Sequence, residues 1–406
     1  MPEPYGLEGV VVSVGTGSAR DERDVPTGNS VTVRPAFDGN RVIFILSLGC
    51  CEQMRIAFVS FETVHHRDTE TNQRFRTVCD LLAERGHDVH WYCAGFWAGE
   101  ESTYEHDGIT YHAVATGTDA RSSFLLRLPF VLAATRPDVI HVGPQPPSQV
   151  VAATLGATMA RAPLVLEWYG DGGIDDTRWT RLAAGRPDRI VTPSELVGTW
   201  VRELGADGDC IETIPNPIDC DRIRDVEPGA EVDVIYARRL DAGANLESLL
   251  LGLAELRDRE WQATVVGDGP ERAAYEQLTA DLRIEDRVTF VGDLDLEDRI
   301  AAYRGAHVFA QTADHCVFPT EMLWALAAGC VGIVEYHANS SAHELVEGRD
   351  RGFRTTSEVE LAEAILAAGD LEHRTYDEAF ADYDRSAVAD RYLERYRALR
   401  DEHGVL

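Results

Sequence analysis

From Met54 onward, short apolar runs of strand length alternate with longer stretches of helical period, and this alternation limits the folds open to the chain. "RIAFVSF" (55–61) reads as a buried strand. "TNQRFRTVCDLLAERG" (71–86) reads as an amphipathic helix closed by Gly86, and "HDVHWYCA" (87–94) as a second strand. "DVIHVG", "APLVLEWYG" and "DRIVTPS" continue the strands, with "SQVVAATLGATMARA" and "ELVGTWVRELG" as helices among them. A second series follows "TIPNPIDCDRI". Its strands are "EVDVIYARRL", "WQATVVGDG", "RVTFVGDL", "HVFAQTA" and "CVGIVEY". Its helices are "NLESLLLGLAELR", "PERAAYEQLTADL" and "LEDRIAAYRGA". Strands that are apolar throughout and joined through helices belong to a parallel sheet covered on both faces, and right-handed crossovers make it doubly wound.

The expected fold is therefore α/β, with two Rossmann-like doubly wound parallel-sheet domains facing a cleft. The boundaries are 54–218 for the first and 219–375 for the second. Residues 376–406 hold a last amphipathic helix, with Val388, Tyr392 and Tyr396 at i, i+4 and i+8. Residues 1–53 are rich in Gly, Pro, Ser and Thr and show no helical or strand period. Their one apolar run, "VIFILSLGCC", is too short to span a bilayer, so they are expected to be a disordered extension or a mis-assigned start. Open α/β sheets bind ligands beyond the carboxyl ends of their strands, which puts a shared ligand in the cleft. With no GxGxxG and no GxxxxGK[ST], dinucleotide and Walker-type sites have no support.

Charge narrows the partners. The chain of 406 residues carries 69 acidic and 38 basic residues, every basic one an arginine, for a net charge of −31. Such a surface repels nucleic acid phosphates and anionic lipid head groups. It suits a halophile, since in multi-molar salt the screening length falls to about 3 Å or less. The eight cysteines are scattered, with no CxxC pair and no Cys/His cluster of zinc spacing, so no metal site is expected and the thiols are expected to be reduced and mostly buried.

Several segments, in order, carry a resemblance: "TIPNPID", "YARRLDAGANLESLLLGLAEL", "VVGDGPERAAYEQL", "RVTFVGDL", "DLEDRIAAYRGAHVFAQTA" and "SAVADRYLERYRAL". Together they resemble the retaining, nucleotide-sugar-dependent glycosyltransferases of family 4, with the GT-B two-domain fold, here of a haloarchaeal type. At the chemistry the chain departs from that family. Arg239 stands where the family has its phosphate-binding arginine, and Ala244 where it has a lysine. Its two donor-site glutamates correspond to Cys316 and Trp324, and the histidine near the reacting sugar to Tyr169.

In "CVFPTEMLWALAAGC" (316–330), Pro319 suits the first position of a helix, leaving the N–H groups of Thr320, Glu321 and Met322 to face the cleft and favour a diphosphate. Two roles suit Glu321: contact with a ribose or sugar hydroxyl, or stabilisation of the helix N-terminus. Arg239 ends a strand at the cleft edge and suits phosphate oxygens, with a surface ion pair as the alternative; Arg238 is the second candidate. Gly267 and Gly269 flank Asp268 in a strand-to-helix turn that the family places beside the donor. "SSAHELVEG" reads as a capping box of Ser341 and Glu344, and the preceding Asn339 and Ser340 are candidate donor contacts. His65 and His66 follow the first strand, where the family's cleft faces acceptor and leaving phosphate. Tyr169 and Asp171 close another strand there, Asp171 as a sugar contact or a turn residue.

The resemblance implies transfer of a sugar from a nucleotide-sugar donor to a hydroxyl acceptor, with retention and without metal or cofactor, in cytoplasmic assembly of surface glycan or glycoprotein. The acceptor would be a glycan or a lipid- or protein-linked one, with peripheral contact at the inner face of the membrane in the lipid-linked case. No basic amphipathic patch stands out clearly enough to name. The alternative is a catalytically silent GT-B homologue that binds or scaffolds, which the substitutions at 169, 244, 316 and 324 favour.

Overall fold

The computed structural model describes residues 31–38, 41–48, 53–99, 101–170 and 176–404, and the chain divides into two units, Met1–Glu52 and Gln53–Leu406. In the first unit, Val31–Asp38 and Arg41–Leu48 pair antiparallel, from Val31↔Leu48 to Asp38↔Arg41. This corrects the expectation of a disordered stretch for these two segments. Both are rich in Val, Ile, Thr and Phe, and Gly39 and Asn40 lie between them in the sequence, a hairpin composition.

The second unit holds two sheets. The first runs in the order Ile211–Thr213, Arg189–Thr192, Leu164–Glu167, Val139–Val142, Arg55–Val59, Asp88–Ala94, Ile109–Ala115, Thr103–His106. All its neighbours are parallel except the last pair. The second runs Val288–Gly292, Ala263–Val266, Val232–Ala237, Ala306–Gln311, Val331–Glu335, Gly352–Thr355 and is parallel throughout. These are the two doubly wound α/β sheets that the alternation implied. Each reverses its strand order beside its first strand, between 55–59 and 139–142 and between 232–237 and 306–311, where the carboxyl ends diverge and leave a crevice.

The helix Arg385–Gly404 returns to the first sheet. Val388, Tyr392 and Tyr396 are buried with Phe58, Phe75 and Trp91 in one cluster, so the i, i+4, i+8 stripe is a core face. Cys79, Cys93, Cys210, Cys220, Cys316 and Cys330 are free thiols, all but Cys210 buried.

A polar network is buried within this apolar frame. Arg74 of the helix Glu70–Glu84 pairs with Glu167, the last residue of its strand, Nε to Oε1 at 2.5 Å, with side chains 2% and 1% exposed. Arg74 also donates to the Ile214 carbonyl at 2.6 Å, the Tyr392 hydroxyl at 2.8 Å and the Asn216 side-chain oxygen at 2.5 Å. Glu167 Oε2 accepts from Tyr392 at 2.9 Å and His141 Nε2 at 3.0 Å, and the other ring nitrogen of His141 bonds the Tyr396 hydroxyl. Burial alone would raise the Glu167 pKa, but Arg74 and His141 more than reverse this and hold it below the ordinary value. Its stabilising contribution is therefore full above the ordinary carboxylate range and lost as pH falls through the lowered value.

Removing one partner should strand a buried charge. Glu167→Met and Arg74→Met should each cost about 3–5 kcal/mol in denaturant unfolding, and the double variant Arg74→Met/Glu167→Met clearly less than their sum. Additive losses would show that the two groups are not coupled.

Candidate functional site

A cavity of about 630 Å³ lies between the carboxyl ends of the two sheets, within the usual range for a small-molecule site. Glu70, Arg74 and Tyr169 line it from the first sheet, and Asn216 and Pro217 from the connection between the sheets. From the second come Arg238, Arg239, Gln311 and the stretch His315–Glu321, with Trp324 one turn further on. A smaller cavity of about 250 Å³ shares Ala237, Arg238, Arg239 and Glu321 with it and extends to Gly267, Asp268, Asp293 and Arg299. The sequence candidates Tyr169, Arg238, Arg239, Pro319, Thr320, Glu321 and Gly267 thus come together.

Arg238 and Arg239 follow the central strand Val232–Ala237 directly. Arg239 is exposed, and its side chain forms no ion pair among the described residues, so the surface-pair alternative is not what the structure contains. Arg238 donates from Nη2 to the His315 carbonyl at 3.2 Å, while its buried Nε has no partner. Two guanidiniums with open donors at one end of a cavity suit an anionic ligand.

The turn at Gly267–Gly269 explains why this segment stays in place. Gly267 has φ +118, and a Cβ there would sit 2.1 Å from the Arg238 carbonyl oxygen. A Cβ on Gly269 would sit 2.2 Å from that of Leu240. Leu240 N–H donates to Asp268 O at 2.9 Å, and Glu271 N–H to Leu240 O at 3.0 Å. The two glycines therefore let the turn press against the backbone that carries the arginines. Gly267 also edges the smaller cavity, whereas Gly269 lines neither.

The helix Thr320–Ala327 begins one residue later than expected, with Pro319 at its N-cap. Thr320 N–H turns back to the Phe318 carbonyl at 3.0 Å, so of the three donors expected to be open only those of Glu321 and Met322 remain. The Met322 side chain is fully buried. Glu321 plays neither expected role alone. Its carboxylate accepts from Arg299 at 3.0 Å and from Tyr303 at 2.5 Å, so it is clamped sideways while still edging both cavities. Cys316 is buried, and burial pushes its thiol up to about 12, so it is neutral and cannot replace a carboxylate.

Tyr169 is 2% exposed; burial raises its pKa, so its phenol stays protonated. Its oxygen accepts from Asn216 Nδ2 at 3.2 Å, and the same amide donates to Thr320 Oγ1 at 2.8 Å. Asn216 therefore ties the buried Arg74 network to the start of the cleft helix.

Other candidates lie elsewhere. His65 stacks on Phe96, ring centroids 4.3 Å apart, and His66 Nδ1 accepts from Thr63 N–H at 3.1 Å. Burial lowers both their pKa values, and neither lines the cavity. The segment after the first strand turns toward the aromatic cluster at the antiparallel edge, where Phe96 also meets Tyr104 and Tyr111. Asn339 and Ser340 pair with His315 and Cys316 in a two-residue bridge that buries Ser340, and neither lines either cavity. The capping box is also absent: Ala342–Leu345 is a single 3₁₀ turn, Ser341 Oγ donates to the Val317 carbonyl, and the Glu344 carboxylate instead accepts the N–H groups of Glu195 and Leu196. Asp171 lies outside the described residues. Among those described, no group of three or more His, Cys, Asp or Glu could hold a metal.

Among the cavity residues that escaped the sequence are Arg74, Asn216 and Gln311. Signals existed for the first two. A carboxylate in the apolar run "PLVLEW" needs a buried cation, and "TIPNPID" places an amide between two prolines. Gln311, whose Oε1 is buried without a partner, ends an apolar strand and gave no sign.

Residues 72–222 match the family described as Glycosyltransferase Family 4, and residues 220–384 match Glycosyl transferases group 1. A 2-deoxystreptamine glucosyltransferase from Streptomyces kanamyceticus is 30% identical over 171 residues, 37% of this chain and 43% of that protein, so the chain matches less than half of that relative's length. A glycosyltransferase from Rickettsia africae superposes with a TM-score of 0.68 at 15% identity, covering 86% of this chain and 99% of that one. Anabaena HepE, solved in complex with UDP and glucose, gives 0.62 at 17% identity over 85% and 100%. These structural likenesses show the fold.

Gly267→Ala should force the turn off the Arg238 carbonyl and lower stability by about 3 kcal/mol or more in thermal unfolding. Gly348→Ala, also at positive φ but with nothing within 4 Å, should cost about 1 kcal/mol. Equal losses would mean that close approach is not what Gly267 supplies.

Proposed function

The chain belongs to the glycosyltransferases of family 4, and from that premise we propose that it transfers a sugar from a nucleotide-sugar donor to a hydroxyl acceptor with retention of configuration. One observation carries the proposal. Two guanidiniums with open donors and the start of a helix converge on a cavity at the carboxyl ends of both sheets. Residues 219–375 would hold the donor, residues 54–218 would face the acceptor, and 376–406 would close back on the first domain.

In the proposed step the bond between the anomeric carbon and the diphosphate oxygen breaks. The bond to the acceptor oxygen forms, and the acceptor's proton passes to the leaving diphosphate. Arg238, Arg239 and the N–H groups of Glu321 and Met322 would take up the charge that develops on the diphosphate, so that no metal is needed for it. Glu321, clamped by Arg299 and Tyr303, would accept one hydrogen bond from the donor's ribose or sugar. Tyr169, as a neutral phenol, would orient through Asn216 rather than accept a proton. The net charge of −31 supports a halophilic setting for this chemistry, and the family supports surface glycan or glycoprotein assembly.

A catalytically silent homologue is the second possibility, favoured by the neutral Cys316 thiol and the half-buried Trp324 at the positions of the family's glutamates. Thermal unfolding in molar salt with UDP, GDP, ADP, dTDP and their sugar conjugates, followed by product analysis with any conjugate that binds, separates the two. A ligand at a hundred times its dissociation constant adds about 2.7 kcal/mol to stability, and Arg239→Ala should abolish most of the shift. Binding without release of nucleotide in the presence of simple sugar or lipid-linked acceptors would favour the silent homologue. No shift with any nucleotide would remove the donor site altogether.

A further inference from the structure

The chain's charge is not evenly spread. From Arg121 to Leu166 it carries four arginines, Arg121, Arg127, Arg136 and Arg161, and a single acid, Asp138, although the whole chain has 69 acids against 38 arginines. The carboxylate of Asp138 accepts the Arg55 backbone N–H at 2.7 Å at the start of a strand. All four arginines are exposed and form no ion pair among the described residues.

The same stretch breaks the apolar pattern. Leu126 is 73% exposed and Phe130 62%, at i and i+4 of the helix Arg121–Thr135. Leu155 is 55% exposed and Met159 46%, at i and i+4 of the helix Pro147–Ala160. These two helices pack closely; Gly156 permits it, since a Cβ there would lie 2.8 Å from the Leu132 side chain. Their inward residues Phe124, Leu128, Leu132, Val150 and Ala153 share one core cluster, so both helices cover the same face of the first sheet. Their exposed stripes therefore lie on one outer surface. The helix Arg178–Ala184 packs on the second of them and adds Trp179, 46% exposed, with the Arg178 guanidinium 5.4 Å from its ring. Half of the ten large apolar side chains exposed among the described residues thus fall in this short part of the chain.

Exposed apolar side chains that cluster in this way mark a surface that another phase or molecule covers. Unpaired arginines flanking aliphatic and aromatic side chains, with no carboxylate between them, fit one occupant best. We infer that this face of the first domain docks on an anionic lipid bilayer, the apolar stripes entering the head-group boundary and the arginines meeting the lipid phosphates. A second copy of the chain fits less well, because a two-fold contact would set the arginines against themselves. The acidity of the remaining surface would then orient the molecule, with this face toward the bilayer and the rest turned away from it. No helix among the described residues is long and apolar enough to cross a membrane, so the contact would be peripheral.

Co-sedimentation of the full chain with vesicles of phosphatidylcholine, with and without phosphatidylglycerol, tests this without any sugar substrate, so it stands or falls apart from the transferase proposal. At the lowest salt in which it stays folded, the chain should prefer the anionic vesicles; added salt should remove that preference, while the apolar stripes keep the remaining, charge-independent binding. Leu126→Asp/Phe130→Asp should weaken binding about tenfold or more. Arg127→Gln and Arg161→Gln should each weaken it about fivefold. Val359→Asp, at an exposed apolar side chain of the second domain, should leave it unchanged. No preference for anionic vesicles, or binding that the first three variants leave intact, would overturn the inference. A dimer seen by sedimentation, split by Leu155→Asp/Met159→Asp and indifferent to vesicles, would assign the face to a second copy and overturn it as well.

Discussion

The buried pairing of Arg74 with Glu167 is the interaction on which the arrangement of the cleft depends. A carboxylate at the end of an interior strand is tolerable only beside a cation with its other donors satisfied. Arg74 meets that demand from a different element, and its remaining donors reach Ile214, Asn216 and Tyr392. One guanidinium thus fixes a strand, a helix, the C-terminal helix and the connection between the two sheets. Asn216 carries the constraint across the cleft by donating to Thr320, the first residue of the helix whose end faces the cavity. A shift of the elements that Arg74 joins would have to break charged hydrogen bonds in a dry environment, where they are strongest, and a shift of the cleft helix would break the neutral bond from Asn216 to Thr320.

The fold was legible because alternation is a local property. Each apolar run names a strand and each amphipathic stretch a helix, and the handedness of crossovers does the rest. The cavity was legible where backbone creates it. Pro319, the turn at Gly267 and the arginines that follow a strand are set by local chain geometry, and all of them line one of the two cavities. Candidates that depended on where a loop turns were not legible. His65 and His66 follow a strand of the correct sheet but meet Phe96 in the aromatic cluster at the sheet edge, away from the cleft. Glu321 edges both cavities, but its partners Arg299 and Tyr303 lie on another helix, which periodicity does not join to it. Ser341 and Glu344 matched a local capping pattern, yet Glu344 found two backbone donors at the start of the helix Glu195–Glu203, with no trace in the local sequence.

Charge shows the same division between a global and a local quantity. Net charge describes the far field, and at −31 it argues against anionic partners. Contact, however, is decided within a Debye length, over which only the nearest side chains count. A few arginines on two adjacent helices reverse the sign there while barely altering the total. Most residues of both helices are apolar, so the sequence does not tell their outer face from their inner one. Only the tertiary structure separates Phe124 and Leu132, which are buried, from Leu126 and Phe130, which are not.

The substitutions at the donor end follow one direction. Where the family has carboxylates and a lysine, this chain has a neutral thiol, an indole and the fully buried Ala244. Each change removes a group whose charge would have to be desolvated or balanced, and the guanidiniums of Arg238 and Arg239, which are weakly hydrated and never deprotonate, remain beside the Glu321 carboxylate. On the proposed function, donor recognition would shift from ribose hydroxyls, which need acceptors, toward the diphosphate, which needs donors. That shift would be costly for an exposed site in concentrated salt, where screening weakens ionic contacts. It is less costly here because the Nε of Arg238 is buried and because backbone N–H groups share the task. A phosphate held by buried donors and a helix end keeps much of its binding energy when exposed pairs lose theirs. On the proposed function, the losses at positions 244, 316 and 324 are therefore compatible with a working donor site.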